Sequence, residues 1–132
     1  CKNFIAYKIA AYSEDTLLPL YNLGSPDTYT VIKKIAKGGS LPGYVIAKRL
    51  DTILSENLIQ QVKLLKIDVE GAELSVLRGA YETLMKTKYV MIEVWDQNKD
   101  EVFNLMRSLG FRLIWKRRYF PPTTNVLFSA TD

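Results

Sequence analysis

Residues 64–80 read LLKIDVEGAELSVLRGA, and this stretch decides the fold class. Leu64, Leu65, Ile67 and Val69 form the near-continuous apolar run of a strand covered on both faces, as in parallel α/β sheets. Asp68, Glu70 and Glu73 arrive where that strand ends and Gly71 turns the chain into a helix. In open α/β sheets ligands bind outside the carboxyl ends of the strands, so these carboxylates fall where chemistry is sited.

Outward from this stretch, strands are expected at 3–10, 16–21, 29–34 and 43–49 on the N-terminal side. On the C-terminal side they are expected at 63–69, 88–94, 111–118 and 124–130. Helices are expected at 52–61, with Asp51 as N-cap, and at 72–86 and 98–109. Leu74, Leu77, Tyr81 and Leu84 make one apolar stripe on the helix at 72–86. Gly79 inside that helix costs about 1 kcal/mol relative to alanine, which points to close packing against a strand. Val102, Phe103, Leu105, Met106 and Leu109 repeat the stripe, and Gly110 suits the left-handed residue that ends a helix. The chain reads as a single α/β domain. Residues 63–132 alternate strand and helix as βαβ units do, and residues 1–62 form a strand- and loop-rich insertion region.

The chain has 132 residues, enough for one domain with a real core. No run of about 18 apolar residues is present, so no membrane span is expected. The opening CKNFIAYKIAAYSED is interrupted by Lys2, Lys8 and Glu14, which argues against a signal peptide and for a cytoplasmic protein. A start at Cys1 suggests a piece cut from a longer chain. With one cysteine and no histidine, Ser-His-Asp and Cys-His catalysis and histidine-ligated zinc are excluded within the chain. Any general base is therefore Asp, Glu, Lys or Tyr. The net charge of +4 has a local source in Arg112, Lys116, Arg117 and Arg118, interleaved with Trp115, Tyr119 and Phe120. That mixture can hold phosphates and stack bases. The plainer reading is a strand with Leu113 and Trp115 inward and its charges in solvent, so nucleic acid is not an expected partner.

Among the carboxylates, Asp68 stands out because an ionisable group inside LLKIDV must find partners. Lys66, two residues earlier on the same side, offers a local ion pair. Glu73 in a first helical turn is favoured by the helix dipole alone. Glu70, before Gly71, fits either a backbone-capping or a chemical role. Glu93 ends the apolar run VMIEVW and would border the same crevice if the two strands are neighbours. Trp95 and Tyr12 suit the rim of a core and could also stack on a ring. Two or three such carboxylates would suit Mg²⁺ or Ca²⁺, but no metal ligand set is assigned.

KIDVEGAE followed by VLRGA resembles the hallmark of the FkbM-type methyltransferases, which use S-adenosylmethionine. Weaker resemblances follow in the family's order: IAAYSED (9–15), LGSPDT (23–28), KRLDTIL (48–54), YVMIEVW (89–95), LGFRLIW (109–115) and TTNVLFSA (123–130). The resemblance implies a Rossmann-like methyltransferase sheet, mostly parallel with an antiparallel C-terminal strand. It implies catalytic roles for Asp68, Glu70 and Glu93, cofactor contacts from Ala11, Ser13 and Asp68, and transfer of methyl to a hydroxyl of a small molecule or sugar. The family's glycine-rich cofactor turn has no counterpart: no G-x-G occurs, and Gly38-Gly39 follow Lys37 rather than an apolar strand. The resemblance thus covers a C-terminal portion without the N-terminal strands. Two expectations follow: the isolated chain binds S-adenosylmethionine very weakly and is inactive alone, and the edge of the strand carrying Asp68 is bare. A bare edge invites self-association and supports an alternative reading as a reduced, non-catalytic interaction module.

Overall fold

A computed structural model describes residues 3–24, 28–33 and 43–131. The expected strand at 3–10 reduces to β1 (Ala10–Ala11), followed by β2 (Thr16–Asn22), β3 (Tyr29–Thr30) and β4 (Gly43–Lys48). Gly38-Gly39 and residues 25–27 of LGSPDT lie outside the described residues. The rest of the chain runs α1 (Leu50–Glu56), β5 (Val62–Ile67), α2 (Glu73–Arg78), α3 (Tyr81–Met85) and β6 (Thr87–Trp95). A 3-10 turn at Asp96–Asn98 then leads into α4 (Lys99–Ser108), β7 (Phe111–Arg117) and β8 (Thr123–Ala130).

The strands form two four-stranded mixed sheets, ordered β1-β4-β2-β3 and β5-β6-β8-β7. In the second, β5 and β6 are parallel, while β8 runs antiparallel to both β6 and β7. The fold is α/β as expected. The second sheet is mixed in the sense the resemblance implies, with β5, β6 and β7 running one way and the C-terminal β8 against them. The first sheet is mixed as well. In the second the cause is local: five residues join β7 to β8, and a link that short reverses the chain. Among the described residues β5 pairs on one side only, so its other edge is bare.

α2, α3 and α4 cover one face of the second sheet. Ile67, Val90, Ile92, Val94, Val126 and Phe128 point into that layer and meet Val76, Leu77, Leu84, Val102 and Met106. The other face is open among the described residues, and Leu64 on it is 53% exposed. The continuous apolar run of β5 therefore does not have cover on both sides here. β7 departs from expectation too. Its register shifts at Ile114, so Leu113 pairs with Phe128 and Trp115 with Leu127, on opposite faces. Only Phe111 of β7 is buried.

The helix expected at 72–86 is two helices, broken at Gly79-Ala80. A Cβ on Gly79 would run into the carbonyl of Tyr12, so the N-terminal segment passes directly over this junction. Asp51 accounts for the restart. It does not cap α1 but lies inside that helix's first turn, buried, and its Oδ1 accepts from the Thr83 N–H and hydroxyl at 2.8 Å each. It thus serves the N-terminus of α3 from another element. α4 ends as expected, with Gly110 at φ +81°.

Candidate functional site

β5 ends at Ile67, and the carboxylates follow in a tight reversal. The Ala72 N–H donates to the Val69 carbonyl at 3.3 Å, with Glu70 at φ +48° and Gly71 at φ +93° between them. Two successive positive φ values mark a type I′ turn, which glycine adopts freely and glutamate does not. Strain at a non-glycine residue persists only where its surroundings impose it. Here they do. The Thr30 hydroxyl, from the first sheet, donates to the Glu70 carbonyl at 2.9 Å. Asn98 Nδ2, at the start of α4, donates to the Gly71 carbonyl at 2.9 Å.

Glu73 closes the turn from within. It is fully buried; Oε1 accepts from the Gly71 N–H at 2.7 Å and Oε2 from Asn98 Nδ2 at 2.7 Å. Burial pushes its carboxyl above the ordinary range, against the hydrogen bonds from Asn98 and from backbone N–H groups. Its side chain therefore has a structural occupation, facing the turn and not a crevice.

Asp68, Glu70 and Glu93 come together. β5 and β6 are parallel neighbours with Ile67 opposite Ile92, and continuing that register by one residue sets Asp68 abreast of Glu93. The Lys66 ammonium lies 2.8 Å from Asp68 Oδ2, the expected local pair. The hydrogen bond from Lys66 holds the Asp68 carboxyl below its usual value, with Glu93 also within hydrogen-bonding reach. Glu70 is displaced the other way. Burial pushes its carboxyl up, and the charges of Glu93, Asp68 and Glu73 push it further; the Trp95 side chain lies within hydrogen-bonding reach and opposes them. Glu93 Oε1 accepts from the Thr123 hydroxyl at 2.8 Å. Two neighbouring carboxyls driven apart in proton affinity are the arrangement general acid–base chemistry uses. Among the described residues no three acidic or cysteine side chains group closely enough to hold a metal ion.

The residues named for the cofactor divide. Ala11 and Asp68 line one cavity of about 220 Å³, with Ile9, Ala10, Leu20, Tyr29, Thr30, Val31, Val69 and Ala72 completing its largely apolar wall. That is below the range of roughly 300–1,000 Å³ usual for small-molecule sites. Ser13 lies away from this wall, its Cα beside Gly79 at the α2–α3 junction. Asn98 was not singled out from the sequence. The available signal is its position: asparagine just before a helix ordinarily caps it, yet here it makes no cap hydrogen bond.

A family model of the methyltransferase FkbM domain matches residues 15–113, most of the chain and all of this acidic turn. The chain belongs to the FkbM methyltransferase family. It is 31% identical over 104 residues to the methyltransferase sdnD of Sordaria araneosa, covering 70% of this chain and 40% of that protein. It is 41% identical over 56 residues to the 2-O-methyltransferase NoeI of Sinorhizobium fredii, covering 42% of this chain and 23% of that protein. A third relative, the AMB antimetabolite synthetase AmbE of Pseudomonas aeruginosa, is 34% identical over 74 residues, 50% of this chain and 4% of the synthetase. The matched region spans 40% or less of each of these relatives. No solved structure matches this FkbM chain at a significant level. No helix among its described residues is long and apolar enough to cross a membrane.

Proposed function

We propose that this chain carries the acceptor-activating end of an S-adenosylmethionine-dependent O-methyltransferase, with a hydroxyl of a small molecule or sugar as acceptor. One observation supports this most: the FkbM signature places Asp68 and Glu70 beside Glu93 at the carboxyl ends of two parallel strands, with Glu70 raised in proton affinity. The bound cofactor supplies an electrophilic methyl group on a sulfonium. Methyl transfer from it is an in-line displacement and needs an aligned, proton-relieved oxygen. Glu70, its proton affinity raised by burial, would take the acceptor's hydroxyl proton. Lys66 keeps Asp68 ionised, so Asp68 orients the acceptor and does not compete for that proton.

The cavity walled by Ala11, Val69 and Ala72 fits a flat apolar portion of the cofactor such as its purine. At about 220 Å³ it does not hold the whole cofactor. Saturation-transfer NMR, which reads weak binding, tests the assignment. Purine protons of S-adenosylmethionine are expected to receive saturation from the wild-type chain and to lose it in Ala72→Phe, which fills the cavity. No transfer from the wild type would remove the cofactor assignment.

The bare edge of β5 favours a second reading, a module that adds a strand from another copy of itself. Sedimentation velocity distinguishes it. A monomer at high protein concentration counts against strand addition, and a dimer abolished by Lys63→Pro, whose N–H faces away from β6, supports it.

A further inference from the structure

Asn98 stands at the N-cap of α4, yet its side chain caps nothing there. Asparagine at this position normally accepts from a first-turn N–H of its own helix. Instead Nδ2 reaches across to another element, donating to the Gly71 carbonyl and to Glu73 Oε2. Glu73 relays the contact onward by accepting from the Gly71 N–H. Both polar groups of the Gly71 residue are thereby taken, one by each partner. The residue immediately before it is Glu70, held at a positive φ that glutamate does not choose unaided.

We propose that Asn98 and Glu73 are positioning residues of the acidic turn: they fix the backbone at Glu70–Gly71 so that the Glu70 side chain faces Glu93 and Trp95, and neither meets the reacting atoms. This rests on the reading of Glu70 as the proton acceptor. It also assigns the second glutamate of KIDVEGAE a task distinct from the first. Glu73 is buried, has both oxygens hydrogen-bonded and faces the turn, whereas Glu70 is half-buried among charges. Thr30 holds the same turn from the opposite side through the Glu70 carbonyl. The turn is thus gripped on successive carbonyls by two separate parts of the fold.

A helix cap and a turn clamp make opposite predictions for one substitution. Serine is a good N-cap but too short to reach Gly71. The test compares Asn98→Ser and Asn98→Ala in this chain. It reads Gly71 amide exchange and the titration midpoint of the Glu70 carboxyl by carbon-detected NMR. In both variants the Gly71 amide is expected to exchange about tenfold faster or more. The Glu70 midpoint is expected to fall back toward its ordinary 4.5 as the side chain leaves its buried, negatively charged surroundings. Asn98→Asp, which sets an acceptor against the Gly71 carbonyl and the Glu73 carboxylate, should speed Gly71 exchange at least as far. Its added charge bears on the Glu70 midpoint directly, so that variant is read by exchange alone. A wild-type Glu70 midpoint in Asn98→Ser would overturn the proposal, since a plain cap is all that residue would then supply. Should Asn98→Ala fail to fold, the serine variant alone decides. These readings need no cofactor, so their failure is separate from absent cofactor binding by the wild type, which would instead remove the functional reading.

Discussion

The two sheets have four strands each but are held in unlike ways. The second owns the core: its covered face and three helices supply nearly every buried apolar side chain, from Ile67 to Phe128. In the first, Ala47 and Thr30 are the buried residues, and Leu17, Tyr44 and Ile46 are exposed. What fastens the first sheet is a handful of directed contacts. Thr30 bonds to Glu70, the Tyr12 backbone lies against Gly79, and Asp15 accepts from the Arg49 N–H at 2.7 Å. One region is stabilised by area removed from water, the other by the accuracy of its attachments.

Removing core volume should separate the two regions most widely. Ile92→Ala, at a fully buried site, is expected to cost about 2–5 kcal/mol in urea unfolding. Ile46→Ala, 56% exposed on β4, should stay within about 0.5 kcal/mol. Equal losses would mean that the first sheet has a core of its own.

Gly79→Ala probes the attachment. Its φ is −89°, so the backbone tolerates alanine and the whole effect is collision with the Tyr12 carbonyl. Overpacking of this kind costs about 1–3 kcal/mol. Hydrogen exchange should quicken in β1, β2 and β4 before it does in β6. Uniform loss of protection would show the two sheets unfolding as one unit.

Asp51→Ala is a smaller change on the same junction. It strips the Thr83 N–H of its acceptor, and an N-terminal capping loss is worth about 0.5–2 kcal/mol. Circular dichroism and thermal melting should show α3 weakened. A melting point equal to wild type would mean that packing alone holds the α2–α3 break.

The smallest effect belongs to the exposed pair Lys66–Asp68, with a few tenths of a kcal/mol at stake. Asp68 is lowered in the folded state, so its share is present above pH 3.8 and fades as pH falls through the folded value. Lys66 is raised, so its share is present below pH 10.5 and fades as pH rises through the folded value. Lys66→Met should flatten both limbs of a stability–pH profile while leaving the Ile92 and Gly79 effects unchanged. Limbs as steep as wild type would show that the pair contributes nothing measurable.

What the sequence disclosed was largely local. The periodicity of 99–108, the end of α4 at Gly110, and the strands β4, β5, β6 and β8 follow from residues near one another. So does the meeting of Asp68 with Glu93, since parallel neighbouring strands follow from the βαβ pattern. What it concealed depends on partners far along the chain. The helix break at Gly79 is imposed by Tyr12, the true office of Asp51 lies 32 residues away at Thr83, and Asn98 reaches back 27 residues to Gly71. No period of 2 or 3.6 registers such a contact. The basic strand misled for a related reason: alternation places Leu113 and Trp115 together only if the strand keeps step.

It does not keep step, and the single extra residue Ile114 acts as a phase shifter. In an unshifted ladder Trp115 would face Val126, on the helix side of the sheet. The slip turns it to the open side, and with it Arg117 comes opposite Asn125, itself opposite Glu93. Without the slip Lys116 would take that place, so one extra residue decides which cation, guanidinium or ammonium, borders the acidic turn. Deleting Ile114 would remove the bulge yet leave Trp115 opposite Leu127 and Arg117 opposite Asn125. Tryptophan emission should therefore keep its solvent-exposed wavelength, and a blue shift would show the ladder re-registering.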